Sequence, residues 1–394
     1  MRNKRFAFIL VLALILGLVL LIRPQREVET LERRKASVLS EISPLNLSND
    51  LDNVLSDQFI FRDNILKIYH SFKYFSSRIL NPHNYLEAVD KGVINIGDDY
   101  LINNVYTNDY YKYVVEYASS RAYNIKELKD KYKDIDVYVY KPTRLEEKDY
   151  LYTDIANSPL LKAEEDFIKN LGEDVTYKAM ELKSIEDYKN IYYRSDIHYN
   201  IEGSYRAYKD IIEMIQEKYY LKDALDIKDK IIYEYDFYGH YGNILGNITT
   251  PDHLEDYDLG IDESQYTYLE EGKITKISDK KNNYKENNTI YSAYDDYFLD
   301  NDGLRIFRNN EIYDPTKAVY IPRKPNILIF ADSYINPIAE WLAIHFDNTV
   351  IIDLRNIEDF KLEEYIKEYN IDIILVYQYY ENLYMNGNMY IPLN

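Results

Sequence analysis

The sequence predicts an α/β fold in which helices flank a parallel β-sheet, with a smaller β-rich insertion and an N-terminal transmembrane helix. Three short runs are largely apolar, as strands covered on both faces of a sheet are: residues 326–330, 349–352 and 371–376. Residues 337–346 and 358–369 lie between these runs and are predicted to be helices. Strands that alternate with helices in this way are typical of parallel sheets.

The composition indicates an acidic globular protein. The 394 residues suit one large domain or two ordinary ones, and a hydrophobic content of 46 % excludes a disordered chain. Asp and Glu (67) outnumber Lys and Arg (47), so the formal net charge is −20, which argues against a nucleic-acid partner. The sequence has no cysteine, which excludes disulfides, thiolate nucleophiles and Cys-ligated metals. We expect no cofactor.

The N-terminus carries an uninterrupted apolar run over residues 6–22, directly after a basic stretch. Seventeen residues in a helix span about 25 Å, close to the shortest membrane crossing. A cleaved signal peptide has a shorter apolar core and a small-residue cleavage site, and Arg23-Pro24-Gln25-Arg26 offers no such site. We therefore predict an uncleaved signal anchor over residues 1–22, with a cleaved signal peptide as the alternative.

Two further regions follow the anchor, and the second contains an insertion. Residues 23–85 are predicted to form a helical stalk and N-terminal helices, since 27–40 is highly charged and 51–79 has apolar residues at helical spacing. The remaining residues, 86–394, form the main domain, with strands predicted at 92–96 and 134–140. Residues 231–321 interrupt the alternation of strands and helices with Gly, Asn and short aromatic runs such as 289–294, which predicts an antiparallel insertion.

The first candidate for chemistry is Ser333, in a turn between a buried strand and a helix. Ligands of parallel α/β sheets bind outside the carboxyl ends of the strands. A serine there has its hydroxyl at the sheet edge and its amide near a helix N-terminus, where an oxyanion can be stabilised. The alternative is structural, because Asp332 and Ser333 are also common helix-capping residues.

The second candidate is the pair Asp196 and His198. An Asp two residues before a His can orient the ring and leave the other nitrogen free to accept a serine proton. The alternatives for this pair are a surface turn or two metal ligands. Metal-dependent hydrolysis with Asp332 as a further ligand lacks a second histidine at ligand spacing, so we expect no metal site.

These two motifs belong to a longer series that resembles the DHHW family of membrane-anchored, SGNH-hydrolase-like proteins. The chain is also similar, more distantly, to the alginate O-acetyltransferase group of the same superfamily. The matching stretches occur in the family's order and cover nearly everything after residue 50: 55–63, 93–101, 138–143, 193–208, 237–246, 291–307, 330–337 and 350–355. The resemblance implies an SGNH-like parallel sheet.

Three positions depart from the family pattern. Ile197 replaces the first His of the four-letter motif, and Tyr199 replaces its Trp while keeping an aromatic ring. Ala331 stands where Gly is common before Asp-Ser, which could tighten the turn and reshape the oxyanion site. None of these changes removes a residue of the implied triad.

By this resemblance, Ser333 is the nucleophile, His198 the general base and Asp196 the carboxylate that orients the base. The chain order Asp, His, Ser is similar to the permuted order of the alginate group. Further candidates, for oxyanion or substrate contacts, are Asn336 and Gly242 and the strand-end tyrosines Tyr334, Tyr377 and Tyr379. Aromatic faces at strand ends could hold a sugar ring, although a structural role is the alternative for each tyrosine.

The resemblance implies an extracytoplasmic SGNH-type O-acyltransferase or esterase that acts on a cell-surface or secreted polysaccharide. Residues 6–22 would anchor the domain to the cell membrane. By analogy with the alginate systems, its partner would be a membrane-bound O-acyltransferase. The alternative is a catalytically inactive glycan-binding or scaffold protein for the modification of cell-envelope polymers.

Overall fold

The computed structural model of the protein describes these residues: 28–29, 34–41, 47–58, 65, 68–69, 71–72, 86–88, 93–103, 113–148, 159–245, 249–270, 273–277, 303–310, 323–357 and 359–393. Residues 6–22, where the sequence predicts a transmembrane helix, lie outside them. Within those ranges no helix combines the length and the hydrophobicity that a membrane crossing needs.

Strands and helices alternate through most of the described chain. The strands are β1 (Val28–Glu29), β2 (Arg34–Lys35), β3 (Leu86–Ala88), β4 (Val93–Asn95), β5 (Leu101–Asn103), β6 (Asp136–Lys141), β7 (Val175–Ala179), β8 (Asp229–Phe237), β9 (Asp252–Asp258), β10 (Tyr266–Glu270), β11 (Lys273–Thr275), β12 (Leu304–Asn309), β13 (Ile327–Ala331), β14 (Asn348–Ile352) and β15 (Ile373–Tyr377). The helices are α1 (Leu47–Asp57), α2 (Val114–Lys131), α3 (Pro159–Leu171), α4 (Ile185–Ile191), α5 (Ile201–Gln216), α6 (His240–Ile244), α7 (Ala339–Ala343), α8 (Leu362–Tyr369) and α9 (Tyr380–Tyr384).

A mixed sheet of eight strands forms the centre of the fold, in the order β11-β10-β12-β14-β13-β15-β6-β7. The five strands from β14 to β7 run parallel to one another, as the sequence predicts. The other three continue the sheet in antiparallel pairs from β14 outward. The fold is therefore α/β with a large sheet, but the sheet is mixed rather than wholly parallel.

Helices cover both faces of this sheet. Alternate side chains of β13 point to opposite faces: Ile327 and Ile329 pack with α5 and α7, whereas Leu328 and Phe330 pack with α2, α3, α8 and α9. Because the central strands are buried on both sides, they contain almost no polar residues. The helix predicted over 337–346 is instead a 3₁₀ helix (Ser333–Ile338) followed by α7. Pro337, which has no amide hydrogen to donate, lies in the tighter segment.

Two regions differ from their sequence predictions. Strands β10 to β12, predicted as part of a separate antiparallel insertion, extend the main sheet. Of the strands described in the predicted insertion, β8 pairs with β9 in a separate sheet. The pairing of β12 with β14 joins distant parts of the chain, which local patterns do not reveal. Near the N-terminus, β1 and β2 pair antiparallel where a charged helix was predicted. That segment has no apolar face with which a helix could pack. The predicted strand over 289–294 lies outside the described residues.

Candidate active site

Ser333 lies immediately after β13, as the first residue of the 3₁₀ helix, and 8 % of its surface is exposed. The preceding residue, Asp332, holds the turn. One oxygen of its carboxylate accepts a hydrogen bond from the Tyr334 amide (3.1 Å). The other accepts from the Tyr379 amide (3.0 Å) and the Asn382 side chain (2.9 Å). Of the two residues that the sequence offers as caps, Asp332 is therefore the one that caps this helix, and three donors hold both oxygens of its carboxylate.

His198 is held by a short loop at the start of α5. The backbones of Tyr192 and Tyr199 pair as an isolated antiparallel bridge, which closes the loop between them. Asn200 then caps α5, because its side chain accepts hydrogen bonds from the Glu202 and Gly203 amides. The loop therefore has both ends fixed, and the imidazole of His198 is buried.

The structure brings Asp196, His198 and Ser333 into one hydrogen-bonded row. Nδ1 of His198 lies 2.5 Å from Oδ1 of Asp196, and Nε2 lies 2.7 Å from Oγ of Ser333. The same Asp196 oxygen accepts from the His198 amide (2.9 Å), and the other accepts from the His240 amide (2.7 Å). Both oxygens of the carboxylate are thus engaged, so its orientation is fixed.

The charge of Asp196 is stabilised by these neighbours. Burial alone would raise the pKa of its carboxyl. The imidazole of His198 and the amides of His198 and His240 outweigh burial, so the pKa is lowered well below its ordinary value. A carboxylate beside Nδ1 keeps the proton on that nitrogen, so Nε2 is the nitrogen that accepts the Ser333 proton.

The segment after β8 supports Asp196 from the other side. The Gly239 amide donates to Oγ of Ser195 (3.1 Å), and the Gly242 amide donates to the Ser195 carbonyl (3.0 Å). A Cβ atom on Gly239 would lie 2.2 Å from Cβ of Asp196, so only glycine fits there. Because the Gly242 amide is already bonded to Ser195, it is not free to serve an oxyanion as the sequence analysis suggested.

Asp252, at the start of β9, holds the same loop. Its Oδ2 accepts from the amides of Arg194 (2.8 Å) and Ser195 (3.4 Å). Burial raises the pKa of the Asp252 carboxyl to about 7 and outweighs the two amides and the Arg194 charge, which act in the opposite direction. The loop before His198 is therefore held by one carboxyl group that titrates near neutrality.

The strand-end tyrosines do not have the open faces predicted for sugar contacts. Tyr334 and Tyr377 are fully buried. The Tyr334 hydroxyl donates to the Ile197 carbonyl, and the Tyr377 hydroxyl bonds to that of Tyr199 beneath the Tyr334 carbonyl. Only Tyr379 is partly exposed, and its ring stacks on Tyr334 with centroids 5.3 Å apart. Sequence periodicity cannot separate a buried aromatic ring from an open one.

Asn336 lies three residues after Ser333 in the 3₁₀ helix, where side chains at that spacing lie on one face. Its side-chain oxygen accepts from Nη1 of Arg305 (2.9 Å). Because of its position relative to Ser333, Asn336 stays a candidate oxyanion donor. In the part of the chain that the structure describes, no three His, Asp or Glu side chains are grouped as metal ligands.

Sequence reasoning did not single out four residues around this row: Arg144, Gly239, His240 and Asp252. Arg144 and Asp252 bond to backbone atoms of the loop 194–197, and Gly239 matters because the loop leaves no space for a side chain there. No side-chain motif in the sequence reports roles of this kind. For Gly239 and His240, the available signal was the stretch 237–246, which matches the family pattern without an assigned chemistry.

A buried serine hydroxyl beside a histidine that a carboxylate orients is the arrangement of Ser-His-Asp hydrolases and acyltransferases. It can transfer an acyl group through the serine oxygen. No protein-family model matches the sequence, and no curated protein matches it either.

Solved structures with a similar fold exist. Bacillus cereus PatB1 is 18 % identical, with a TM-score of 0.58 over 75 % of this chain and 98 % of its own. A DHHW family protein from Eubacterium siraeum is 18 % identical, with a TM-score of 0.51 over 75 % and 92 %. The O-acetyltransferase domain of Pseudomonas putida AlgJ is 11 % identical, with a TM-score of 0.40 over 75 % and 94 %. The resemblance inferred from the motifs is confirmed, as a likeness of fold.

Proposed function

We propose that the chain is a serine O-acyltransferase or esterase of the SGNH type, with an O-acetylated glycan as its product or substrate. The observation that carries the proposal is the row of hydrogen bonds from Asp196 through His198 to Ser333. The folds of PatB1 and the DHHW family protein support the class of domain. The triad and the substrate are the proposed part.

In the first half-reaction, Oγ of Ser333 attacks the carbonyl carbon of an acyl ester while Nε2 of His198 takes the serine proton. The tetrahedral intermediate collapses, the bond to the leaving oxygen breaks, and His198 returns the proton to that oxygen. Asp196 stabilises the imidazolium ion that forms between these events. The products are an acyl-serine and a free alcohol.

In the second half-reaction, His198 takes a proton from an acceptor hydroxyl, whose oxygen attacks the acyl-serine. The Ser333–acyl bond breaks and the proton returns to Ser333. A sugar hydroxyl as acceptor gives a glycan ester, and water as acceptor gives hydrolysis. The Ser333 amide and Asn336 would donate hydrogen bonds to the oxyanion of each tetrahedral state. The Ser333 amide is the first of its helix, so no carbonyl of that helix accepts its hydrogen.

The setting of the reaction is also a proposal. We place the domain outside the cytoplasm, held at the cell membrane by residues 6–22. Acyl groups would then come from a membrane-bound O-acyltransferase partner. Protease treatment of intact cells expressing the full chain tests this orientation: cleavage of the domain supports it, and protection until lysis contradicts it.

An acyl-transfer assay tests the reaction. The full-length chain, purified in mild detergent, is given p-nitrophenyl acetate with and without glycan acceptors. We expect nitrophenol release in the wild type and its loss in Ser333→Ala. Ser204→Ala is the matched control, because Ser204 is also buried and its hydroxyl donates to the carbonyl of Asn200, the residue that caps α5.

Acetyl recovered on the glycan identifies a transferase, and acetate alone identifies an esterase. Glycan binding without turnover, unchanged in Ser333→Ala, would contradict the proposal and favour a binding protein.

A further inference from the structure

Arg144 lies three residues after the end of β6, as the N-cap residue of a short 3₁₀ helix (Leu145–Glu147). Its side chain is 1 % exposed, so its charge is in the protein interior. The guanidinium has three polar partners: it donates to Glu146 (3.1 Å), to the Tyr241 hydroxyl (3.3 Å) and to the Ile197 carbonyl. These partners belong to three different segments of the chain.

The contact with Ile197 reaches the centre of the proposed site. Ile197 is the residue between Asp196 and His198, and its carbonyl also accepts from the Tyr334 hydroxyl. Tyr334 directly follows Ser333, and its ring lies 4.8 Å from the His198 ring between centroids. One carbonyl oxygen therefore joins the loop of the acid and base to the segment of the nucleophile, with Arg144 as its second donor.

The surroundings of Arg144 indicate that its side chain fixes the positions of its neighbours. Desolvation of a buried charge is unfavourable, and a hydrophobic residue often replaces a buried ion pair without loss of stability. Here the carboxylate of Glu146 compensates the charge, and three aromatic rings surround the guanidinium at 5.1–5.9 Å: Tyr188, Tyr192 and Tyr241. A planar guanidinium can serve several fixed acceptors at once, whereas a lysine ammonium cannot reproduce that fork.

We propose that Arg144 is a positioning residue for the reaction: it fixes the Ile197 carbonyl and thereby the geometry between Asp196, His198 and Ser333. The inference rests on the proposed function, since it assigns to Arg144 the alignment of that site. Arg144 itself touches none of the reacting atoms.

Arg144→Lys, which keeps the charge, and Arg144→Met/Glu146→Gln, which removes the pair together, test this role. The control is Arg121→Lys. Arg121 is also fully buried, but it bonds to Asn124 and Gln378 and contacts neither Ser333 nor the 195–198 loop. The full-length chain is used throughout, and thermal melting identifies any variant that fails to fold.

Two readouts separate positioning from general stability. The first is the rate of reaction with phenylmethanesulfonyl fluoride, for which we expect roughly a tenfold or greater loss in both Arg144 variants and less than about twofold in Arg121→Lys. The second is the low-field proton resonance of the short hydrogen bond between His198 Nδ1 and Asp196. We expect it to broaden or vanish in the Arg144 variants and to persist in the control.

Reaction rates equal to that of the wild type in folded Arg144 variants, with the resonance unchanged, would overturn the role of Arg144 and leave the proposed function intact. A wild type that does not react would instead contradict the proposed function. In that case the low-field resonance still reports on the alignment: if it is unchanged in the Arg144 variants, the positioning role is overturned as well. Equal losses in Arg121→Lys would show a stability effect and also overturn the inference.

Discussion

Nε2 of His198 lies 2.7 Å from Oγ of Ser333, although the two residues are 135 positions apart in the sequence. One comes from a loop closed by a strand bridge before α5, and the other from the turn after β13. Because α5 and the 3₁₀ helix of Ser333 pack in the same core on one face of the sheet, the fold itself sets this distance. The proposed chemistry depends on it.

We expect Gly239→Ala to damage the site. The new Cβ would lie within 2.3 Å of both Cβ and Oδ2 of Asp196, so the loop or the carboxylate must shift. The expected effects are a loss of about 1–3 kcal/mol in the free energy of unfolding and a marked fall in reactivity.

Urea unfolding and sulfonyl fluoride kinetics measure both effects. Gly387→Ala is the control, since its Cβ would meet nothing within 4 Å, and its stability should change by less than about 0.5 kcal/mol. Wild-type reactivity in Gly239→Ala would mean that Asp196 is not held as described.

Tyr334→Phe separates positioning from sugar contact. The substitution removes only the hydroxyl that donates to the Ile197 carbonyl and keeps the buried ring. We expect kcat for acetyl ester hydrolysis to fall about tenfold with KM nearly unchanged, since a hydrogen bond of this kind contributes ~1 kcal/mol or somewhat more. Steady-state kinetics decide between the two roles: a rise in KM alone would favour a substrate contact.

Asp252→Asn should change how stability depends on pH. The pKa of Asp252 is about 7 in the folded protein because burial outweighs its favourable contacts, whereas an unfolded Asp titrates near 3.9. Between these values the folded state keeps a proton that the unfolded state has lost, so this group makes the protein less stable as pH rises through that window.

Asn is neutral at every pH and keeps an acceptor oxygen. Melting temperatures of wild type and Asp252→Asn should therefore be closest near about pH 4, and the excess of the variant should grow to a few degrees near about pH 8. Asp262→Asn serves as a control of opposite sign, because hydrogen bonds from Ser264 lower the pKa of Asp262. A difference between Asp252→Asn and wild type that does not vary with pH would contradict the assignment.

The parallel strands could be predicted because the apolar run of each strand is local in the sequence. Asp196, His198 and Ser333 could be identified as candidate site residues because each lies in a short motif. The sequence could not place Arg144 or Asp252, since each acts on backbone atoms of residues more than 50 positions away. Nor could it show that Tyr334 and Tyr377 are buried. Exposure depends on packing between α5, β13 and β15, which a tyrosine-rich sequence does not encode locally.

The most direct test of the account is intact-mass analysis after treatment with phenylmethanesulfonyl fluoride. The reagent sulfonylates serine hydroxyls that an adjacent base activates. We predict one adduct on the wild type and on Ser204→Ala, none on Ser333→Ala and a severely slowed reaction in His198→Ala. A folded wild type without an adduct, or an adduct that persists in Ser333→Ala, would contradict the claim that Ser333 is an activated nucleophile.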